Sequence, residues 1–295
     1  MSEFRDRTGS ASSGNHAMLK LFTAQNSICT QKVFLTLLEK GLEWTSEYID
    51  LFKNEQYRPE YLRLNPKGVV PTLIHEGRAI IESTLICEYL DETFPTPRLV
   101  PDTAYERSRM RLWSKHIDEG VFEATREISF SAMFREKMKS MTEEERNGRF
   151  RNIGDPGRRA RFMSTYQEGC ASPFVEQGIF AFEKMFQEME EALGSGCDWL
   201  VGARFSLADI NVIPFVARLD YLQILDVWTA HRPLVQEWWQ RAKSRPSFDG
   251  AIAKLLTQDQ VAAMASSGAR IRSQIARTHG EVASKRVLVG SAQIN

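Results

Sequence analysis

The order of strand-like and helix-like segments predicts an α/β domain of order βαβαββα with a mixed sheet, followed by an all-helical domain. Three observations carry this. Leu19 to Thr23 alternates in the manner of a half-buried strand and is followed by an apolar helical stripe. Asn65 to Ser83 holds a turn, a short strand, a hairpin turn, a second strand and a helix start in one run. Beyond Thr103 no convincing strand appears, and apolar residues recur at helical spacing.

Met1 to Ala17 is rich in Ser and Gly and reads as a disordered tail or a tag. After the first strand, Val33, Phe34, Leu37 and Leu38 fall on one face of a helix over 28–40, which Gly41 stops. Glu43 to Ile49 is a second strand and Tyr57 to Leu64 a short helix. Pro66 and Gly68 break that helix. Val69 to Leu73 is strand-like, and Pro71, having no N–H, belongs at its start or edge. Glu76-Gly77-Arg78 closes a hairpin, and Glu82-Ser83 opens an apolar helix from Thr84 to Leu90. A helix start leaves backbone N–H groups free to bind a carboxylate.

Phe94-Pro95-Thr96-Pro97 is a stiff linker. Residues 18–98 are thus expected to form the α/β domain, 99–257 the helical one and 258–295 a C-terminal extension. Tyr105 to about Lys139 is helical, with Met110, Trp113, Ile117 and Val121 as its inner stripe. Thr142 to Arg161 is polar, carries Gly, Pro and many arginines, and reads as an exposed loop between helices. Phe174 to Leu193 is amphipathic and ends at Gly194-Ser195-Gly196. Ser206 and Asp209 have capping-box spacing, and the helix they open, to about Leu225, is apolar on most sides and so buried. From Gln258 the chain turns small and polar, with no packing partner indicated.

The 295 residues are 42% hydrophobic and 26% charged, as in an ordinary globular protein. The net charge of +0 gives no general pull toward nucleic acid or anionic membrane. Cys29, Cys87, Cys170 and Cys197 lack metal-ligand or Cys-x-x-Cys spacing, so no metal is expected and a reducing, cytoplasmic setting is.

With these segments in place, residues 18 to 257 resemble a cytosolic glutathione transferase, and the first domain its thioredoxin-like half. Val70-Pro71, Glu82-Ser83, the Ser206/Asp209 box, Trp238-Trp239 and Arg245-Pro246-Ser247-Phe248 carry the resemblance. Glu82 to Leu90 and the long 142–174 insertion are most similar to the bacterial glutathione-dependent β-etherases. The resemblance implies a homodimer with glutathione as co-substrate, no nucleic-acid or membrane partner, and attack of the glutathione thiolate on an electrophilic carbon of an aromatic or hydrophobic substrate. Cleavage of a β-aryl ether is the sharper form of that expectation. It implies a cis Val70-Pro71 bond whose preceding backbone meets the cysteinyl part of glutathione. Glu82 and Ser83 would hold the γ-glutamyl end, and Gln56 the glycine end. Val69 stands where the family often has Gln or Lys, so a side-chain contact is lost there. Lys67 is close enough in sequence to reach the glycyl carboxylate.

Glutathione must be held as a thiolate to act as a nucleophile. The loop from Thr23 to Cys29 has no Tyr; Ser27, supported by Asn26, matches the serine of serine-type transferases. Ser27 also fits a helix N-cap, a role that competes in part for its hydroxyl. Met110, Trp113, His116 and Phe122 are candidates for an apolar acceptor wall. Two other readings stay open: a glutathionyl reductase using Cys29, and a binding or regulatory protein that keeps the fold without turnover.

Overall fold

The computed structural model describes residues 18–24 and 26–292, with side chains to Val282. The stretch expected to be a tail or tag, 1–17, lies outside the described residues, as does Gln25. The elements are β1 (Leu19–Thr23), α1 (Ile28–Glu39), β2 (Trp44–Tyr48), α2 (Pro59–Leu64), β3 (Thr72–His75), β4 (Arg78–Ile81) and α3 (Ser83–Thr93), the expected βαβαββα order. The helical part adds α4 (Ala104–His116), α5 (Phe122–Ser129), α6 (Arg135–Lys139), α7 (Glu143–Asn152), α8 (Pro156–Glu168), α9 (Pro173–Leu193), α10 (Leu207–Tyr221), α11 (Asp226–Thr229), α12 (Pro233–Lys243), α13 (Pro246–Ala251) and α14 (Gln258–Ala292).

The sheet has the order β2-β1-β3-β4; β1 pairs with β2 in parallel and with β3 antiparallel. Alternation along β1 sends Leu19 and Leu21 into the main core with α1 and α3. Phe22 points to the opposite face, where it meets Tyr61, Ile49 and Val70. Strand β3 starts at Thr72, directly after Pro71, because the proline has no N–H for the ladder.

The segment from Thr142 to Arg161 is not a loop. It forms α7 and the first half of α8, joined by a short turn. Helix α7 buries no residue, so no apolar periodicity marked it. Its start is a full capping box, Thr142 with Glu145. Helix α8 starts with Asp155 accepting from the Arg158 N–H and Pro156 in its first turn. Residues 104–139 run as one helical stretch interrupted by π-turns at Ile117–Val121 and Phe130–Phe134. The tail is a long helix, α14, seated through Met264, Ile275 and Val282. Gly268 lets it approach the end of α10: a Cβ there would lie 1.7 Å from the Leu222 carbonyl oxygen.

Helix α10 is the centre of the molecule. Every residue from Leu207 to Leu219 is buried, and α1, α4, α5 and α14 pack on it. The Ser206/Asp209 box forms reciprocally. Asp209 Oδ1 also accepts from the Leu200 N–H at 3.0 Å and the Trp238 Nε1–H at 2.9 Å. Burial pushes the Asp209 carboxyl up to about 6, against the pull of these donors. The folded chain therefore holds this proton more tightly than the unfolded chain does. That contribution to stability is complete below about pH 4 and is lost as pH rises through about 6. Asp209→Asn is expected to be less stable throughout, since its amide nitrogen cannot accept. Thermal melts should show the gap to wild type widening as pH falls from about 7 to about 5. A gap that stays constant or narrows would show that the folded chain does not raise the Asp209 pKa.

Candidate active site

Three segments meet at one end of the sheet. Register places Phe22, near the end of β1, opposite Thr72 at the start of β3, and Thr72 opposite Ile81 at the end of β4. The loops that follow β1, precede β3 and follow β4 are therefore neighbours. These carry Asn26 and Ser27, Val70 and Pro71, and Glu82 and Ser83.

Asn26 takes a left-handed backbone, φ 61°, which Asn tolerates well. That bend brings Ser27 to the N-cap of α1, where its Oγ accepts from the Thr30 N–H at 3.3 Å. The cap uses a lone pair, so the hydroxyl proton stays free to donate. Capping and donation to a sulfur are thus compatible. No acidic residue lies in the first turn of α1 to offset its positive end.

The Val70–Pro71 bond is cis. The Val69 carbonyl accepts from Tyr61 Oη at 2.6 Å and from Asn65 Nδ2 at 2.9 Å. Both groups also reach Thr72 Oγ1, at 2.9 and 3.2 Å. This network fixes the turn while the Val70 N–H and C=O keep no partner among the described residues. Tyr61 and Asn65 escaped the sequence reading; an Asn just before the Pro66-Lys67-Gly68 turn was the available signal.

Glu82 sits at φ 69°, outside the usual range for a residue with a side chain, as functional termini often do. It is the N-cap of α3, and no side chain caps that end. The first N–H groups of α3 are free for an anion. Lys67 Nζ pairs with Glu82 Oε1 at 2.6 Å, so it is engaged within the site. Gln56 is buried, with its Oε1 unpaired. An orphaned buried acceptor, an unpaired strand-like backbone and an uncapped helix start fit a peptide bearing carboxylates.

Cys29 is half-buried in the first turn of α1 and touches Ser83. Burial raises its pKa above the ordinary thiol value; Lys32 and the Ser83 contact oppose this. A nucleophilic cysteine needs the reverse shift. Lys32 is itself buried and donates to Thr84 Oγ1 at 2.7 Å, with Asp118 of the first π-turn close to the same hydroxyl.

The acceptor-wall candidates separate. Met110 and Trp113 are fully enclosed in the main core, which takes them out of any wall. His116 Nδ1 lies 3.2 Å from Glu188 on α9, and burial lowers its pKa despite that carboxylate. Phe122 is half-buried against the core. Two surface clefts of about 370 and 250 Å³ lie elsewhere and include none of these residues.

A mixed sheet whose one end gathers the start of α1, the cis Val70–Pro71 turn and the uncapped start of α3 has the layout of the thioredoxin-like half of a glutathione transferase. Comparison with known proteins agrees. Residues 26–93 match the glutathione S-transferase N-terminal domain and residues 177–246 the C-terminal domain. Protein LigF of Sphingobium sp. strain SYK-6 is 31% identical over 252 residues, covering 82% of this chain and 95% of LigF. A tetrachloro-p-hydroquinone reductive dehalogenase of Sphingobium chlorophenolicum is 25% identical, covering 79% and 95%. The crystal structure of the β-etherase LigF superposes with a TM-score of 0.71 at 28% identity, covering 80% of this chain and 99% of that one. The chain belongs to the glutathione transferase family, with glutathione as co-substrate. Among the described residues no helix is long and apolar enough to cross a membrane.

Proposed function

We propose that this enzyme ionises glutathione at Ser27 and directs the thiolate to an electrophilic carbon of an aromatic or hydrophobic substrate, cleaving a β-aryl ether. The observation that carries the reading is Ser27 Oγ at the positive end of α1, where it caps the helix as an acceptor and so keeps its hydroxyl as a donor. Asn26 supports that loop. Gln56, Val70, Pro71, Glu82 and Ser83 bind the tripeptide. In the ether reaction a C–S bond forms as the C–O bond breaks. The electron pair leaves on a phenolate, which takes a proton from water. Likeness to LigF favours this substrate class. The four unpaired cysteines favour a reducing, cytoplasmic compartment.

The experiment is turnover of a β-aryl ether, read as phenol release, against pH for wild type, Ser27→Ala and Cys29→Ala. A hydrogen bond to a charged group contributes about 1.5–3 kcal/mol. Its loss in Ser27→Ala should raise the bound thiol's pKa by about one to two units. Turnover should fall near neutral pH and recover in part as pH rises, while Cys29→Ala stays near wild type. An unaffected Ser27→Ala with an inactive Cys29→Ala would establish the reductase instead. Glutathione binding with no turnover of any electrophile would establish the non-catalytic reading.

We further propose a homodimer. Leu85 on α3 and Tyr105 and Leu112 on α4 remain 58, 73 and 52% exposed, and Arg111 and Glu88 bridge the two helices at 3.0 Å. Apolar exposure on adjoining helices suits a second copy. Light scattering should give twice the 33.7 kDa chain mass; a monomer at micromolar protein would refute the proposal.

A further inference from the structure

Arg218, on α10, is a buried cation without a carboxylate. Its side chain donates from Nη1 to Ser129 Oγ at 3.2 Å and from Nη2 to both the Asn26 carbonyl and Asn26 Oδ1, at 2.8 and 2.7 Å. All three acceptors are neutral. No acidic side chain pairs with it among the described residues. A buried charge left without a counter-charge is costly. Such a group persists where it has work to do.

Its position says what that work is. Arg218 holds the residue immediately before Ser27, and holds it through both backbone and side chain. The two contacts pin Asn26 in its left-handed conformation, and that conformation aims Ser27 at the end of α1. Asn26 Nδ2 also meets Met264 Sδ of α14 at 3.8 Å, so the loop is gripped from two helices of the helical part.

We propose that Arg218 is the positioning residue of the Ser27 loop and the buried counter-charge of the glutathione thiolate. This rests on the proposed role of Ser27. The missing anion is supplied when glutathione ionises beside the loop, so the guanidinium gains a partner only in the reactive state of the co-substrate. Next to the loop, the charged groups that act on Cys29 are Lys32 on α1, Glu82 before α3 and Asp118 on the first π-turn. Lys32 already has Thr84, with Asp118 next to it. Among the described residues Arg218 alone of the cations hydrogen-bonds to Asn26.

The test compares wild type with Arg218→Met, which fills the space without charge, and Arg218→Gln, which keeps a donor for Asn26. Thiolate absorbance of the glutathione complex is titrated, with melts and calorimetry alongside. Removing the positive charge fixed to the loop should raise the bound thiol's pKa in both variants, by at least about one unit. Turnover near neutral pH should fall about tenfold and recover at higher pH, with glutathione affinity changed less than about threefold. Arg218→Met leaves the Asn26 and Ser129 acceptors without their donor and should melt lower than wild type. The thiol's pKa is the readout that a residue of purely structural purpose would leave alone. Should Arg218→Met fail to fold, Arg218→Gln decides: a wild-type pKa overturns the proposal. A wild-type protein that binds glutathione without thiolate near neutral pH overturns both this inference and the Ser27 reading. Thiolate in wild type with unmoved variants overturns this inference alone.

Discussion

The carboxylate of Asp209 is the point from which the structure hangs. It closes the start of α10, ties that helix to the Leu200 backbone and to Trp238 on α12, and does so without a counter-ion among the described residues. Helix α10 can therefore be buried along its whole length with its first N–H groups satisfied. An acid at the helix start and an arginine near its end also match the helix dipole. One buried helix thus fixes the helical core at its first turn and reaches the Ser27 loop near its last.

The link between the two halves is similarly built from enclosed polar groups. Lys40, at the end of α1, pairs with Asp91 at 2.6 Å, and Asp91 accepts from the Leu99 and Val100 N–H groups of the linker. The Leu207 N–H, at the start of α10, donates to the Leu99 carbonyl at 3.0 Å. Across the same boundary Arg245 forks onto Glu39 at 2.8 and 2.6 Å. The sheet end that carries Ser27, Val70 and Glu82 is thereby held at a fixed height against α10. A site that stabilises a developing anion needs that rigidity, because its donors must be in place before the charge forms.

Much of this was legible in the sequence where one residue type answers to one local rule. Alternation gave β1, Gly41 the end of α1, Pro71 the start of β3, and the Ser206/Asp209 spacing the entry to α10. Helix α7 was not legible because it has no buried face; caps alone mark it, and the arginine-rich composition masked them. The α14 contacts were hidden because small residues there signal close approach rather than exposure. At the site, Ser27, Val70 and Glu82 came from the resemblance to the family, each within one loop, and the structure brings those loops to one end of the sheet. Tyr61 and Asn65 act on a carbonyl, which leaves no pattern in side chains. Arg218 was the least legible: Asn26, its partner, is 192 positions away, and an arginine within an apolar run does not say what it reaches. Met110 and Trp113 show the converse, since helical spacing alone does not separate a pocket wall from a core.

A crystal structure of the enzyme with glutathione tests the account most directly. The account predicts the sulfur within hydrogen-bond distance of Ser27 Oγ, the cysteinyl backbone paired with Val70, and the γ-glutamyl carboxylate on the free N–H groups at Ser83. A disulfide between glutathione and Cys29, or a tripeptide bound away from this end of the sheet, would contradict it.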